Sequence, residues 1–227
     1  MSAVFSEAEL EQAIIEKFIA EGYEHVSGDA IHRELTDVLI KGDLEAFLAA
    51  KYAPQGITSS EIDSIIRSLE NASPTPAYGA NKKMFLRMVE GETFVREDRN
   101  AKDFHLQLID FDVDDNKNIV KIVNQMTVKG VKATRRPDAI VYINGLPVVV
   151  MEFKSAVKEE TTIHDAYVQI TTRYLRDIPE LFKYNCFVVI SDGVNTKAGT
   201  VFSSYERFCS WRRADDNSAP VDGIDTL

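Results

Sequence analysis

The 227-residue sequence contains no apolar run approaching the roughly 18 residues that a membrane-spanning helix needs. Its two cysteines, Cys186 and Cys209, provide neither a disulfide framework nor zinc-site spacing, and they suit a reducing cytosol. The opening residues MSAVFSEAELEQ carry acids where a signal peptide carries basic residues. A phosphate-binding loop of the form Gly-x4-Gly-Lys-Ser/Thr is also absent. We therefore expect a soluble, cytoplasmic chain with no membrane association.

Positive charge is also in short supply, since 26 Lys and Arg face 36 Asp and Glu, a formal net charge of −10. This excludes a protein coated with basic residues. The charge is unevenly distributed, because residues 1–70 carry a net charge of −9 and residues 121–176 a net charge of +4. A basic patch is enough for phosphate contacts, but ordinary solvated faces explain the same distribution, so charge alone leaves both interpretations open.

The first third of the chain has helical periodicity. Ser6 and Glu9 form a capping-box pattern that predicts a helix over residues 6–21. Its predicted buried stripe consists of Leu10, Ile14, Ile15, Phe18 and Ile19. Further helices are predicted near 29–40, 43–51, 59–70 and 78–89. The loop SPTP at 73–76 is the expected internal boundary, so residues 1–76 are predicted to form an amino-terminal helical segment.

Beyond residue 92 the pattern changes from helical to alternating. Strands are predicted at 93–97, 103–111, 118–128, 138–143, 146–154 and 186–191. A helix over 163–175 between the last two strands indicates a crossover connection and a parallel pair. The predicted fold class is α/β, of mixed α+β type: a mixed sheet flanked by helices over 77–212, preceded by the helical segment. The polar tail 213–227 is expected to be a linker to a further domain.

The most informative stretch is RRPDAIVYINGLPVVVMEFKS, residues 135–155, which predicts a hairpin turning at Asn144-Gly145. Period-two alternation places Glu152 and Lys154 on one face of the second strand. A tight two-residue turn would put Asp138 and Glu152 on opposite faces. Their convergence requires one extra residue, such as a three-residue loop or a bulge at Gly145. We predict that irregularity.

Asp138 and Glu152 on neighbouring strand ends are suited to share a hard cation such as Mg²⁺. Such an ion polarises a phosphoryl oxygen, and Lys154 could orient or help deprotonate the attacking water. The same residues could instead form a structural salt bridge. From the residues alone, both interpretations stay open.

The hairpin closely resembles the PD-(D/E)xK nuclease motif of the endonuclease (R) subunit of type I restriction enzymes. GDAIHRELTDVLI, IVNQMTVKG and LFKYNCFVVISDG are also similar to that family, so the resemblance extends roughly from residue 6 to residue 211. It implies a restriction-endonuclease-like core that cleaves double-stranded DNA with Mg²⁺, for which Mn²⁺ substitutes. It also implies a following motor that uses ATP, and partner methyltransferase and specificity subunits.

The resemblance also implies roles for individual residues. Asp138 and Glu152 become metal ligands, the Phe153 carbonyl a third, and Lys154 the catalytic lysine. Glu11 falls where many such nucleases carry a helix glutamate facing the site; its alternative is a boundary charge. Related nucleases carry Gln-x3-Tyr after the lysine. Here Tyr174 is five residues beyond Gln169, about 140° away on an α-helix, so Gln169 is expected to face the site and Tyr174 less so.

Three arginines, Arg135, Arg136 and Arg173, are candidate DNA-phosphate contacts. For the first two, a salt bridge to the acidic amino-terminal region is the alternative. The expected function is a metal-dependent DNA endonuclease domain acting after ATP-driven translocation. Its rivals are a catalytically silent nuclease-fold docking module and, less compatible with the linker-like tail, a stand-alone nuclease.

Overall fold

The computed structural model of the chain describes residues 6–112, 117–155 and 162–210. Its helices are α1 Glu7–Ala20, α2 Lys41–Lys51, α3 Ser59–Glu70, α4 Ala77–Glu90, α5 Ile163–Val168, α6 Leu175–Asp177 and α7 Pro179–Phe182, with a π-helical segment Gln169–Tyr174 between α5 and α6. The strands are β1 Glu24–Ser27, β2 Glu92–Phe94, β3 Phe104–Leu106, β4 Val120–Asn124, β5 Val128–Lys129, β6 Thr134–Arg135, β7 Ala139–Ile143, β8 Leu146–Phe153, β9 Phe187–Ser191, β10 Thr196–Gly199 and β11 Cys209–Ser210.

A seven-stranded mixed sheet organises the described part of the chain, in the order β1-β4-β7-β8-β9-β10-β11. The pairs β1–β4 and β8–β9 are parallel and the others are antiparallel. The helices between β8 and β9 make the parallel connection, as the sequence predicted. The predicted fold class, a mixed sheet flanked by helices, is therefore confirmed.

Strand β8 lies at the centre of this sheet, and all eight of its residues are buried. Strands covered on both faces are near-continuous apolar runs, which accounts for the sequence LPVVVMEF. Pro147 cannot donate a ladder hydrogen bond, and it lies near the start of the strand beside a register shift, where proline is tolerated. The only charged side chain of the strand, that of Glu152, is thus carried into the interior at its far end.

Helix α1 begins as predicted. The Ser6 side chain accepts from the Glu9 N–H at 3.3 Å, and the Glu9 carboxylate accepts from the Ser6 N–H at 2.9 Å. Leu10, Ile14 and Ile15 are buried. The prediction that Ile19 belongs to the buried stripe was wrong, because its side chain is 48% exposed near the end of the helix. This buried face packs α1 against the core, and Glu11, next to Leu10, is half-buried.

Helices α2, α3 and α4 confirm the predictions for 43–51, 59–70 and 78–89, but the helix predicted over 29–40 is wrong. Only a 3₁₀ turn, Gly28–Ala30, forms there. The backbone of this stretch bonds elsewhere, since the Leu35 carbonyl accepts from Lys129 N–H and the Ile40 N–H donates to the Gly145 carbonyl. The Arg33 guanidinium also donates to carbonyls of this stretch. Tertiary hydrogen bonds therefore outweigh the local helical pattern.

Strand predictions succeeded at the centre of the sheet and failed at its margins. The hairpin strands and β9 agree with prediction, whereas the strands predicted at 103–111 and 118–128 are shorter, the second ending before Gln125, which has a φ of +53°. Strand β1 was not predicted, because Glu-His-Val-Ser is short and polar, yet it pairs along β4. The predicted domain boundary at residue 76 stays a prediction, and the tail 213–227 lies outside the described residues.

Candidate functional site

The carboxylates of Asp138 and Glu152 are brought together by an extra residue in the hairpin. Ile143 pairs with Leu146 and Tyr142 with Pro147, whereas Val141 pairs with Val149 and Ala139 with Met151, so that Val148 is the additional residue. The register beyond this bulge places Asp138, which precedes Ala139, beside Glu152, which follows Met151. The predicted extra residue is present, but the prediction that it lies in the turn, as a longer loop or a bulge at Gly145, was wrong, because it lies within β8.

The turn itself is the tight two-residue kind. Asn144 and Gly145 have φ angles of +51° and +75°, the left-handed conformations that such hairpin turns need. Gly145 is also required by space, since a Cβ there would lie 2.1 Å from the Ile40 carbonyl oxygen. The Asn144 side chain is buried and accepts from the Ile119 N–H at 2.8 Å. The turn therefore contacts the backbone at Ile40 and at Ile119, and these contacts define the hairpin register.

Asp138 is attached to the strand opposite it. Its Oδ2 accepts from the backbone N–H of Phe153 at 2.7 Å, and its backbone carbonyl accepts from the N–H of Gln125 at 2.9 Å. Burial raises the pKa of its carboxyl group above the usual range, although the bond from Phe153 partly offsets that rise. Backbone groups thus hold the Asp138 carboxylate in a position where its charged form is poorly solvated.

Glu152 has the most unusual environment of the site. It is 1% exposed; its Oε1 accepts from Lys154 Nζ at 2.9 Å and from the Gln169 amide, while its Oε2 is buried with no hydrogen-bond partner. Burial, followed by the negative charge of Asp138, raises the pKa of Glu152 to about 8. A buried carboxylate oxygen without a partner is costly, so this atom is suited to bind a further positive group.

Lys154 completes the convergence predicted from the sequence. Its Nζ donates to the Phe153 carbonyl as well as to Glu152, both at 2.9 Å, and its side chain is 11% exposed. One ammonium group thus faces two carboxylates, Asp138 and Glu152. When both carboxyl groups are ionised, these three side chains carry a net charge of −1.

Gln169 and Tyr174 both reach the site. The Gln169 Nε2 donates to Glu152 Oε1 and also to the Tyr174 hydroxyl, the latter at 2.6 Å. The angular separation expected for an α-helix does not apply, because the helix is π-helical here and the Leu175 N–H bonds the Ile170 carbonyl five residues back. Residues five apart therefore lie on one face, so Tyr174, which the sequence favoured less strongly than Gln169, reaches the site together with it.

Glu11 lies beside the site, bound by two amide side chains that the sequence analysis left without a role. Asn124 Nδ2 donates to its Oε1 at 2.8 Å, and Gln125 Nε2 donates to its Oε2 at 2.5 Å. The Gln125 amide is also 3.4 Å from Asp138 Oδ1. Asn124 and Gln125 lie in the stretch IVNQMTVKG, and nothing in their spacing distinguished them from ordinary strand-end residues.

The three arginines differ in their surroundings. Arg135 donates through Nε, at 2.8 Å, and through a terminal nitrogen, at 2.5 Å, to Asp177, so its partner is not the acidic amino-terminal region considered above. Arg176 binds the same carboxylate, and the two arginines, Arg176 first, lower the pKa of Asp177 well below its usual range. Arg136 and Arg173 are exposed. Their role as phosphate contacts stays a prediction.

A divalent cation fits the donor set at one point of this arrangement. Asp138, Glu152 and the Phe153 carbonyl supply oxygen ligands, which Mg²⁺ and Mn²⁺ prefer, and the partnerless Oε2 of Glu152 is the atom in need of a charge. Across residues 6–112, 117–155 and 162–210, no three His, Cys, Asp or Glu side chains are grouped closely enough to hold a metal. The fit is therefore to two carboxylates and a carbonyl, with remaining positions open to water.

The opposite face of β8 has a different character. A cavity of about 640 Å³ lies there between α1, α4 and the sheet, with an apolar lining that includes Met88, Val149 and Met151. Side chains alternate along a strand, so Val149 and Met151 point away from Glu152.

In the described ranges, no helix is both long and apolar enough to cross a bilayer.

The sheet topology, with two carboxylates and a lysine beside its central strands, defines an α/β protein with a nuclease-like core. The family described as "Type I restriction enzyme R protein N terminus" matches residues 4–207. The chain belongs to this family.

Relatives of known name agree with that assignment. The chain is 27% identical to the type I restriction enzyme HindI endonuclease subunit of Haemophilus influenzae, over 95% of this chain and 21% of that protein. It is 29% identical, with the same coverage, to a Methanocaldococcus jannaschii protein provisionally named the type I restriction enzyme MjaIXP endonuclease subunit. It is 26% identical to the EcoprrI endonuclease subunit of Escherichia coli, over 93% of this chain and 65% of that protein. The chain thus spans about a fifth of the length of the first two.

Proposed function

We propose that this chain is the metal-dependent DNA endonuclease domain of a type I restriction enzyme R subunit, acting in the cytoplasm as a PD-(D/E)xK nuclease. The observation that carries the proposal is the convergence of Asp138, Glu152 and Lys154 around a buried, partnerless carboxylate oxygen. Membership of the R-protein family supports the same assignment, and so do relatives named as endonuclease subunits.

Asp138 and Glu152 would hold Mg²⁺ or Mn²⁺ together with the Phe153 carbonyl. When bound, the cation supplies Lewis acidity toward a phosphoryl oxygen and toward water. The two adjacent carboxylates and the partnerless Oε2 of Glu152 would be offset by the charge of such a cation. Lys154, which now donates to Glu152 and to the Phe153 carbonyl, would then be less needed as their counter-charge.

In the proposed step, water attacks phosphorus and the P–O bond to the departing oxygen breaks, with solvent accepting the proton of the water and supplying one to the departing oxygen. Lys154 Nζ donates a hydrogen bond that orients this water, and its charge offsets the negative charge that builds on the phosphoryl oxygens. Gln169 and Tyr174 act on Glu152 and not on the substrate: the amide holds Oε1, so the other oxygen stays directed into the site. Arg136 and Arg173, both exposed, would contact DNA phosphates, which positions a duplex without reading its sequence.

The wider setting is also part of the proposal. The Haemophilus influenzae and Methanocaldococcus jannaschii relatives are about five times as long as the matching region, which leaves room for an ATP-dependent motor outside it. Double-stranded DNA would be the substrate. Methyltransferase and specificity subunits would be partners of the full-length polypeptide, with target choice coming from them.

The decisive test is Mn²⁺ binding by this chain, followed by the spectrum of free Mn²⁺ and made in the presence of a short DNA duplex. Wild-type protein is compared with Glu152→Gln and with the control Glu16→Gln, an exposed position on α1 that undergoes the same change of charge. We expect binding by the wild type and the control and a loss of at least about tenfold in affinity for Glu152→Gln. Nicking of a plasmid is measured alongside.

Equal binding by all three proteins, or none by any, would overturn the proposal and favour a nuclease-fold docking module with a silent site. Binding that depends on Glu152 supports the metal centre. Nicking by the wild type and not by Lys154→Ala would then place the lysine in the chemistry.

A further inference from the structure

Gln125 occupies a place where its side chain touches two carboxylates at once. Its amide Nε2 lies 2.5 Å from Glu11 Oε2 and 3.4 Å from Asp138 Oδ1. Two carboxylates that share one donor form the oxygen pair that a divalent cation would otherwise bridge. The positive end of the Gln125 amide dipole therefore occupies the position where a second cation would bind. This position is next to the cation proposed at Asp138 and Glu152.

The backbone presets this placement. Gln125 follows β4 with a φ of +53°, a left-handed conformation that few residues other than glycine and asparagine adopt readily. Its N–H donates to the Asp138 carbonyl at 2.9 Å, so the residue is fastened to the strand that carries the carboxylate. The amide is therefore built into the site by the main chain and is not a surface side chain that happens to turn inward.

Glu11 is presented to Gln125 by a chain of side chains. His25 Nε2 lies 3.0 Å from Asn124 Oδ1, and Asn124 Nδ2 donates to Glu11 Oε1. The histidine donates to the Asn124 oxygen in this arrangement, which directs the asparagine nitrogen toward Glu11. With that oxygen bonded by Asn124, the other oxygen of Glu11 faces Gln125 and Asp138.

We propose that Gln125 limits this site to one cation by filling, with its own amide, the position between Glu11 and Asp138. The inference rests on the proposed metal centre at Asp138 and Glu152. In this arrangement Glu11 is a positioning group bound to Gln125 in the native chain and becomes a cation ligand only when the amide is removed.

The test counts Mn²⁺ ions per chain in variants at position 125. Gln125→Gly removes the amide, and glycine adopts the left-handed φ without strain. Gln125→Glu is nearly isosteric and replaces the donor with a third carboxylate. We expect one ion for the wild type and two for each variant. The electron paramagnetic resonance spectrum should show coupling between neighbouring Mn²⁺ ions in the variants alone.

Two controls separate this effect from a general gain of charge. Gln12→Glu makes the same charge change beside Glu11, but its amide bonds Glu16 at 2.9 Å on the exposed side of α1, so it should bind one ion. Adding Glu11→Gln to Gln125→Gly removes a ligand of the new position and should return the count to one. Circular dichroism of each variant shows that it is folded.

The outcomes distinguish this inference from the proposed function. One ion in the wild type and still one in both Gln125 variants overturns the role of Gln125 and leaves the metal centre standing. Two ions in the wild type overturn it as well, because the amide would not exclude the second. Failure of every protein to bind Mn²⁺ overturns both proposals.

Discussion

The amide of Gln169 donates to the hydroxyl of Tyr174 at 2.6 Å, across five residues of a π-helical segment. An α-helix would separate these side chains by about 140°. Single π-helical turns inside α-helices are frequent at functional sites, and here the widened turn brings Tyr174 to the same Gln169 amide that binds Glu152. The extra residue in the helix thus has the same effect as the extra residue in β8, since each rotates a polar group into the site.

Deleting Thr172, which is exposed within the π-helical segment, should leave the site intact. The deletion puts the glutamine and tyrosine four residues apart, about 40° on an ordinary α-helix, so their contact is kept. We expect the free energy of unfolding to change by no more than about 1 kcal/mol and Mn²⁺ affinity to be retained. Urea denaturation and Mn²⁺ titration measure the two quantities.

The matched control deletes Ser64, exposed in the regular helix α3, which turns Ile65, Ile66 and Leu69 away from the core. That deletion should cost more than about 3 kcal/mol. A comparable loss on deleting Thr172 would contradict the view that the π-helical turn is one inserted residue.

Glu152→Gln should stabilise the metal-free protein at high pH. The pKa of Glu152 is raised to about 8, from 4.5, so the protonated carboxyl group contributes stability that is fully present below pH 4.5. This contribution is lost as the pH rises through 8. Glutamine removes the titrating carboxyl and leaves Lys154 with Asp138 alone. In a chelator, the variant should gain about 5 kcal/mol over the wild type above pH 8 and little at pH 4.5.

Saturating Mn²⁺ should reverse this order, because ligand binding stabilises only the protein that binds it. Denaturant midpoints across the pH range, with and without Mn²⁺, check both parts. A structural salt bridge between Glu152 and Lys154 predicts the opposite sign in the chelator, namely a loss of stability in the variant.

Glu61→Gln should weaken the protein most at neutral pH. Glu61 is 1% exposed, its Oε1 binds Arg96 at 2.7 Å, and the hydrogen bond from Arg96 is the main reason that its pKa falls to about 2. A lowered pKa contributes stability above pH 4.5 that is lost as the pH falls through 2. Glutamine keeps the capping box with Thr58 but not the ion pair.

We expect Glu61→Gln to lower the free energy of unfolding by about 2 kcal/mol at pH 7. Between pH 4.5 and pH 2, the stability of this variant should fall less than that of the wild type. Urea denaturation between pH 2 and 7 checks this against Glu9→Gln, an exposed capping-box glutamate that should change the curve little. If the free energy of unfolding of Glu61→Gln falls between pH 4.5 and pH 2 as much as that of the wild type, other carboxyl groups cause the loss of stability in acid.

We expect substitution of the exposed Arg136 to affect DNA binding and substitution of Arg135, which is paired with Asp177, to affect stability. Arg136→Ala should leave the melting temperature unchanged and reduce the slope of log affinity for DNA against log salt by about 1, the effect of one lost phosphate contact. Arg135→Ala should lower the melting temperature, because it removes one of the two arginines that bind Asp177. The measurements are DNA affinity as a function of salt concentration and thermal unfolding, made on both variants. If Arg136→Ala and the wild type have equal slopes of log affinity against log salt, Arg136 does not contact a DNA phosphate.

Local patterns were sufficient for much of the fold and for the central residues of the site. The capping boxes, the periodicity of α3 and the Asn144-Gly145 turn act over a few residues, and period-two alternation placed Glu152 with Lys154. The requirement for an extra residue also followed from the sequence, because a one-residue register change moves every side chain to the other face.

By itself, the sequence determined the hairpin, the mixed α/β class and the grouping of Asp138, Glu152 and Lys154, since these depend on neighbours along the chain. Only the tertiary structure decided where the extra residue lies, that residues 29–40 do not form a helix, that Tyr174 faces the site and that Gln125 stands between Glu11 and Asp138. The structure of residues 29–40 and the place of Gln125 depend on hydrogen bonds between groups far apart in sequence, such as Lys129 with Leu35 and Gln125 with Glu11. Local propensities are weaker than such bonds once a buried polar group must find a partner.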